Sequence, residues 1–178
     1  MSEGKTVFVD SEGLLKIARS DLRNQYMMYS GRGGESDANP LPMLIHRKHG
    51  KYFLKTDETG LVVAAVSFYP YAKGSDPRYP DGDFIYLSQV GVHKDHRRNG
   101  YAKSLLNSVF ALAAKTDSVL LLSSFEPDGR SYLAPVLPDI HHKHPGVKVL
   151  HDGMAEPVTG ERRYKLVCDW GTLPVQYL

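Results

Sequence analysis

A strand that passes through a glycine-containing turn into a helix constrains the fold of this chain most strongly. Residues Phe84 to Val92 have the apolar and β-branched character of a strand, and the polar turn that follows contains Gly100. Apolar side chains then recur at helical spacing, at Ala102, Leu105, Leu106, Val109, Phe110 and Ala113. That spacing predicts an amphipathic helix. A strand, a turn and a helix in this order indicate a protein of mixed α/β class.

Further elements are predicted on both sides of this block. Thr6 to Val9 has the pattern of a strand, and Asp10 or Ser11 can cap a following helix that should end near Gly31. The polar, glycine-rich segment Gly31 to Pro40 predicts a loop. The remaining predicted elements are a hairpin of Lys51 to Lys55 with Leu61 to Tyr69, a strand at Ser118 to Phe125, a short helix at Ser131 to His142, and strands at Val147 to Leu150 and Arg163 to Cys168.

Length and composition argue against a transmembrane protein and against a fold held by disulfides. The chain has 178 residues and a formal net charge of +2, and we expect residues 1–178 to form a single domain. No apolar run approaches the roughly 20 residues that cross a bilayer, and the first residues lack the apolar core of a secretory signal. Cys168 is the only cysteine, so no internal disulfide can form, and we expect a reducing compartment, the cytoplasm.

The start of the predicted helix has the chemistry of a phosphate site. The first backbone N–H groups of a helix have no intrahelical partner, and the helix dipole places positive charge there. Gly100 and Ala102 keep large side chains away from these groups, while Arg97, Arg98 and Lys103 add positive charge. These features favour the binding of a phosphate or pyrophosphate at this turn.

The segment Arg97-Arg98-Asn99-Gly100-Tyr101-Ala102 resembles the Arg/Gln-x-x-Gly-x-Gly/Ala signature of the GCN5-related N-acetyltransferases, the GNAT family. Val90 to Val92 lie where that family has its central strand, and Leu105 with Leu106 lie where its helix packs. The resemblance implies a single-domain α/β (α+β) fold with a mixed, mostly antiparallel central sheet flanked by helices. In this fold a splayed pair of strands forms the acetyl-CoA slot.

The resemblance also implies an activity, the transfer of an acetyl group from the co-substrate acetyl-CoA to a primary amine by direct attack. The pantetheine arm would pair with the backbone of Gln89 to Val92, and the amides from Arg98 to Lys103 would receive the pyrophosphate. A backbone N–H near Val90 would polarise the thioester carbonyl. The cofactor-binding residues implied in this way are Gln89, Val90, Gly91, Val92, Arg97, Arg98, Asn99, Gly100, Tyr101, Ala102 and Lys103.

Two residues are the candidate catalytic groups. Tyr132 lies where the family often has a tyrosine near the sulfur, and it is the candidate acid for the departing thiolate. The alternative role of Tyr132 is that of a packing aromatic. Glu126 is a candidate base, with a solvated carboxylate beside a turn as its alternative. Tyr86 and Ser88 are further candidates for orienting a water, packing in the sheet is their other role, and the sequence does not choose among them.

Other sites and functions are compatible with parts of the sequence. His141, His142 and His144, together with His151 and Asp152, form a histidine-rich tract, but the spacing matches no metal motif and we expect no metal site. A non-catalytic acyl-CoA-binding sensor on the same fold is the alternative function. Nucleic-acid binding is disfavoured by the small net charge. The identity of the amine acceptor, a small molecule or a protein, and a homodimeric state stay open.

Overall fold

The chain folds into a mixed arrangement of strands and helices. The computed structural model describes residues 5–21, 23, 50–75, 82–122, 131–152, 164–167 and 170. The strands within these residues are β1 (Thr6–Asp10), β2 (Lys51–Thr56), β3 (Val62–Tyr71), β4 (Phe84–Val92), β5 (Val119–Leu122), β6 (Val149–Asp152) and β7 (Tyr164–Leu166). The helices are α1 (Ser11–Ser20), α2 (Tyr101–Lys115) and α3 (Leu137–Lys143), with a 3₁₀ turn at Lys94–His96. The strands follow one another in chain order through a seven-stranded sheet.

These strands and helices are divided between two compact units. The first contains Met1–Tyr69 and Gln89–Leu106, and the second contains Pro70–Ser88 and Asn107–Leu178. The strands β3 and β4 and the helix α2 therefore each contribute residues to both units.

In the first unit, β1, β2 and β3 are antiparallel neighbours. A turn stabilised by Asp57 closes the predicted β2–β3 hairpin, because its carboxylate accepts hydrogen bonds from the amides of Thr59 and Leu61 at 2.9 Å each. Gly60 completes the turn with φ of 83°, a conformation that glycine adopts without strain. Burial acts to raise the pKa of Asp57, but the hydrogen bonds from Thr59 and Leu61 outweigh it and lower that pKa.

Helix α1 begins where the sequence predicts and packs through one face. The Asp10 carboxylate caps it by accepting a hydrogen bond from the Gly13 amide at 2.8 Å, and this bond is the chief cause that lowers the pKa of Asp10. Leu14 and Ala18 are fully buried, and burying a leucine side chain stabilises a fold by about 1.5–3 kcal/mol. Their buried neighbours from the sheet are Tyr52, Leu54, Val62 and Ala65.

The end of α1 differs from the sequence prediction. The helix ends at Ser20 rather than near Gly31, and Asp21 is extended with φ of −146° and ψ of 124°. The Asp21 carboxylate accepts a hydrogen bond from the Arg23 amide at 2.8 Å and pairs with the Arg23 guanidinium at 2.7 Å. The extended backbone of Asp21 interrupts the helix, which the apolar spacing alone does not reveal. Residues 24–49, which include the predicted loop Gly31 to Pro40, lie outside the described residues.

In the second unit, the central strand pairs are parallel. β5 pairs with the first half of β4, and the last pair places Leu87 opposite Leu122. β6 runs parallel to β5, and β7 runs antiparallel to β6. Phe84, Leu121 and Leu150 form a buried cluster on these strands. Parallel strands are usually covered on both faces, because the connections between them place helices there. The buried side chains of these strands agree with this.

The mixed α/β class and a sheet flanked by helices are confirmed. Antiparallel pairs outnumber parallel ones among the strand pairs whose register is described. β4 has the predicted bounds, whereas β3 continues to Tyr71, past the predicted end at Tyr69. Within the described ranges, none of the helices combines the length and the apolar character that a bilayer crossing requires.

Candidate functional site

The strand β4 changes its environment along its length. Phe84, Ile85 and Leu87 are buried, whereas every residue from Ser88 to Val92 is only partly buried. The described pairing with β5 reaches Leu87, so the second half of β4 extends beyond its described partner on that side. Residues 123–130 follow β5 and lie outside the described residues. The backbone of the predicted pantetheine segment therefore has no described ladder partner in β5.

A short 3₁₀ turn follows the strand, and His93 fixes its beginning. The His93 amide donates to the carbonyl of Val63 on β3 at 2.8 Å. The His93 Nδ1 accepts a hydrogen bond from the Asp95 amide at 3.3 Å and so caps the turn. This bond requires an unprotonated Nδ1. His93 and His96 are both partly buried.

The environment of His93 favours the neutral ring that the cap requires. Partial burial is the main cause that lowers the pKa of His93 below its ordinary value of 6.5. Asp95 opposes this shift, while His96, Lys94 and Arg97 add to it. Because the pKa of His93 is lowered, its Nδ1 stays unprotonated at neutral pH and can accept the hydrogen bond from the Asp95 amide.

Side chains of the next residues bond to the backbone of the same loop. The Arg97 Nε lies 3.5 Å from the Val92 carbonyl oxygen, and the Asn99 amide nitrogen donates to the His96 carbonyl at 3.1 Å. These contacts tie the loop to the end of β4. They leave the peptide groups at the start of α2 for other partners.

Gly100 is the last residue before α2 and leaves its N-terminus open. It adopts φ of 74°, and a Cβ built on it would meet nothing within 4 Å. The Ser104 amide donates to the Gly100 carbonyl at 3.0 Å, so the amides of Tyr101 and Ala102 precede this first helical bond. No acidic residue lies in the first turn of α2. A glycine in place of a capping side chain leaves room for an anion against these amides.

The loop adds positive charge to the helix dipole. Lys94, Arg97 and Arg98 are exposed, and Lys103 lies in the first turn of α2. Asp95 is the carboxylate within the turn, at 3.8 Å from the His93 Nδ1. All the cofactor-binding residues that the sequence predicts, from Gln89 to Lys103, lie in the first unit as one continuous strand, loop and helix start.

The predicted catalytic residues belong to the second unit. Residues 131–133 are helical; the Tyr132 side chain is 70% exposed, whereas the neighbouring Leu133 is buried. Glu126 lies outside the described residues. Tyr86 is partly buried and packs against the cluster of Phe84, Leu121 and Leu150.

The histidine-rich tract is bonded within the second unit. The His141 Nε2 lies 2.9 Å from the Val147 carbonyl oxygen, and the His144 Nε2 lies 3.1 Å from the Asn107 Oδ1. Both rings also lie near Phe110, with centroids 6.1 Å and 6.2 Å away. Nowhere in the described ranges do three or more metal-ligating side chains come together. The two bonded imidazoles support packing of α3 against α2.

Comparison with known sequences identifies one family. Residues 15–130, more than half of the chain, match the acetyltransferase (GNAT) family. This match contains the whole loop from His93 to Lys103 and Glu126, and it ends before Tyr132. Among curated proteins, none matches this sequence significantly.

Comparison with solved structures finds several acetyltransferases that are similar to this chain. The acetyltransferase domain of xEco2, solved with a CoA conjugate, has a TM-score of 0.50 and 16% identity, covering 78% of this chain and 89% of that chain. A ribosomal-protein-alanine N-acetyltransferase from Brucella melitensis biovar Abortus 2308 has 18% identity, a TM-score of 0.43 and coverages of 66% and 78%. An aminoglycoside acetyltransferase from an uncultured soil metagenomic sample has 13% identity, a TM-score of 0.47 and coverages of 92% and 97%.

Proposed function

Because the chain belongs to the acetyltransferase (GNAT) family, we propose that it transfers the acetyl group of acetyl-CoA to a primary amine of an acceptor. The observation that carries this proposal is the start of α2, where Gly100 leaves open space in front of the Tyr101 and Ala102 amides. Acetyl-CoA, as co-substrate, would supply the activated thioester. The residues of this chain supply binding, orientation and proton transfer.

The helix start is suited to the diphosphate of acetyl-CoA. A diphosphate needs several N–H donors, positive charge and the absence of side chains at the point of contact. The amides at the start of α2 meet the first requirement, and Arg97, Arg98 and Lys103 meet the second. The left-handed glycine at position 100 meets the third. The proposal that the diphosphate binds at the start of α2 therefore rests on this chain's own loop as well as on the family match.

The second half of β4 is suited to the pantetheine arm. An extended amide-containing chain binds well to strand backbone that lacks a neighbouring strand. Gln89 to Val92 are extended, only partly buried, and lie beyond the described pairing with β5. A backbone N–H near Val90 would then polarise the thioester carbonyl as negative charge develops on its oxygen.

The transfer itself requires two proton movements. The neutral amine of the acceptor attacks the carbonyl carbon, the new C–N bond forms, and the C–S bond breaks. The nitrogen becomes an ammonium group on attack, and this ammonium proton passes to a base, for which Glu126 is our candidate, directly or through water. The departing thiolate takes a proton from an acid, for which Tyr132 is our candidate, and its exposed hydroxyl is compatible with contact to a substrate.

A thermal scan and an acceptor screen test this function separately. Excess acetyl-CoA should raise the melting temperature by mass action, and calorimetry should show heat of binding. Release of free CoA thiol should then appear with one or more members of a panel of amino acids, polyamines, aminoglycosides and peptides. The absence of both a thermal shift and heat of binding would contradict the acetyl-CoA site. Binding without thiol release from any amine would instead favour an acyl-CoA sensor.

A further inference from the structure

The first strand of the sheet lies at its edge. β1 pairs with β2 through five consecutive residue pairs in unbroken register, and no described strand pairs with its other side. Proteins usually protect an edge strand with a lysine, a proline or a bulge. The middle of β1, Val7 to Val9, has none of these and is entirely apolar. β1 therefore keeps the features that favour pairing with a further strand.

One face of β1 exposes an aromatic side chain at this edge. Phe68, Phe53 and Phe8 lie on the neighbouring strands β3, β2 and β1, with ring centroids 5.3 Å apart at each step. Phe68 is fully buried, Phe53 is partly buried, and Phe8 is 54% exposed. Aromatic side chains stabilise folds and interfaces mainly through the large area that they bury. The exposed half of Phe8 is apolar surface that a partner at this edge would cover.

The hydrogen bonds of β1 show which of its backbone groups point away from β2. The Lys5 carbonyl accepts a hydrogen bond from the Thr56 amide at 3.2 Å, so Lys5 faces β2 with its backbone groups. Residues that face a neighbouring strand in this way alternate along an antiparallel ladder with residues that do not. The alternation directs the N–H and C=O of Val7 toward β2 and those of Phe8 toward the open side. A further strand would therefore meet both backbone groups of Phe8.

We propose that this further strand is β1 of a second copy of the chain, paired antiparallel around a two-fold axis at Phe8. In this register Phe8 lies opposite the partner's Phe8, and the two residues exchange both backbone hydrogen bonds. Their rings meet on one face of the joined sheet, while Val7 lies opposite the partner's Val9 on the other face. Each apolar side chain of β1 thus meets an apolar side chain, as a self-complementary symmetric interface requires.

The charges at the two ends of β1 favour a second copy in this orientation. Lys5, just before the strand, and Asp10, at its end, are both exposed, and the residues between them are uncharged. Antiparallel pairing places Lys5 beside the partner's Asp10 at each end of the strand pair, where opposite charges attract. A parallel pair would place like charges together. Because the strand is short, the interface is small and the dimer should dissociate on dilution.

Sedimentation equilibrium of the full chain at increasing concentration tests the interface. The parent should change from monomer to dimer and no further, with a dissociation constant on the order of micromolar. Phe8→Lys and Phe8→Glu, each alone, place like charges opposite each other and should weaken the dimer by about tenfold or more. An equimolar mixture of the two variants should associate again, because opposite charges then meet across the axis. This recovery requires that position 8 lies opposite itself.

Leu166→Lys is the matched control, because Leu166 lies on β7, the last strand of the sheet order, and is 56% exposed. This variant should dimerise as the parent does. Circular dichroism should show that each variant is folded. Phe8→Thr keeps a β-branched side chain and replaces any charged variant that does not fold. It should weaken the dimer by about tenfold, because the aromatic pair is lost.

Four results would overturn the proposal. The first is a parent that stays monomeric over the whole concentration range. The second is assemblies that keep growing with concentration, which would indicate pairing of β1 with β7 instead. The third is dimerisation of the Phe8 variants as strong as that of the parent, or a mixture that associates no better than each charged variant alone. The fourth is a loss of the dimer in Leu166→Lys equal to that in Phe8→Lys, which would indicate an effect of added charge alone.

Discussion

The loop from His93 to Lys103 and the tract from His141 to His151 are similar in sequence but differ in structure. Both are rich in histidine and lysine, and the loop also contains Arg97 and Arg98. In the tract, His141 and His144 are bonded to Val147 and Asn107 inside the second unit. In the loop, the His93 ring accepts a hydrogen bond from the Asp95 amide, the Arg97 side chain bonds to the last residue of β4, and Gly100 leaves the helix start open.

The difference shows that composition does not distinguish a binding loop from a packed segment. What distinguishes them is where the polar side chains find their hydrogen bonds. Imidazoles bonded to a backbone carbonyl and an asparagine stabilise packing, because a buried polar group must be satisfied. In the loop, the side-chain bonds fix its shape, and the amides of Tyr101 and Ala102 precede the first hydrogen bond of α2. The comparison gives different expectations for substitutions in the two segments.

The largest effect is expected from Gly100→Glu. The new carboxylate would occupy the open space in front of the Tyr101 and Ala102 amides and repel the phosphates. We expect acetyl-CoA binding to fall below detection in calorimetry, together with a loss of stability of about 1–2 kcal/mol, because residue 100 has φ of 74°.

Gly74→Glu is the matched control for Gly100→Glu. Gly74 also has a left-handed φ, of 72°, and also has open space around its Cβ position. It should lose similar stability but bind acetyl-CoA normally. If both variants lost binding equally, strain or added charge would explain the effect and the comparison would fail.

The next largest effect is expected from Tyr132→Phe, which removes only the hydroxyl. If this hydroxyl protonates the departing thiolate, kcat should fall by about 10²–10⁴-fold with nearly unchanged acetyl-CoA affinity. Because the side chain is 70% exposed, the melting temperature should hardly change. Stopped-flow or steady-state thiol release measures the rate. If Tyr132→Phe had the same kcat as the parent, Tyr132 would be excluded as the acid.

A smaller effect is expected from His144→Ala in the histidine-rich tract. The change removes the hydrogen bond to Asn107 and the contact with Phe110, and it should cost about 1 kcal/mol of stability in a denaturant titration. Acetyl-CoA binding should be unaffected. His142→Ala, at an exposed position of α3, should change stability very little. Loss of acetyl-CoA binding in His144→Ala would contradict a purely structural role for this tract.

The smallest effect is expected from acidification, through His93. Its pKa is lowered below 6.5 in the folded chain, so the unfolded chain takes up this proton first as the pH falls. Stability should therefore decrease as the pH falls from about 6.5 through the lowered pKa, where the cap to Asp95 is lost. His93→Asn keeps an acceptor without titrating, and its melting temperature should depend less on pH. If the melting temperatures of the parent and of His93→Asn depended on pH in the same way, a contribution of His93 to the pH dependence of stability would be excluded.

The sequence predicted the central block well because its signals are local. The strand character of Phe84 to Val92 and the spacing of apolar residues through α2 both depend on neighbours along the chain. The open glycine before the helix also follows from the motif itself. The end of α1 was predicted wrongly, because the apolar spacing continues past Ser20 whereas the backbone of Asp21 is extended.

Other parts of the site depend on three-dimensional contacts that no local pattern carries. The cap made by His93 and the left-handed backbone of Arg98 follow from how the loop is held between β4 and α2. The exposure of Tyr132 follows from the orientation of its helical turn, with Leu133 facing inward. A histidine followed two residues later by aspartate was the only sequence signal for the cap.

Amide hydrogen exchange with and without acetyl-CoA tests the central claim most directly, because it observes both segments in one experiment. The account predicts slower exchange at the Tyr101 and Ala102 amides when acetyl-CoA is present, since these donors would then be bonded to phosphate. The amides of His144 and Val147, already bonded within the tract, should exchange at unchanged rates. Unchanged exchange at Tyr101 and Ala102 under saturating acetyl-CoA, or protection confined to the histidine-rich tract, would contradict the account.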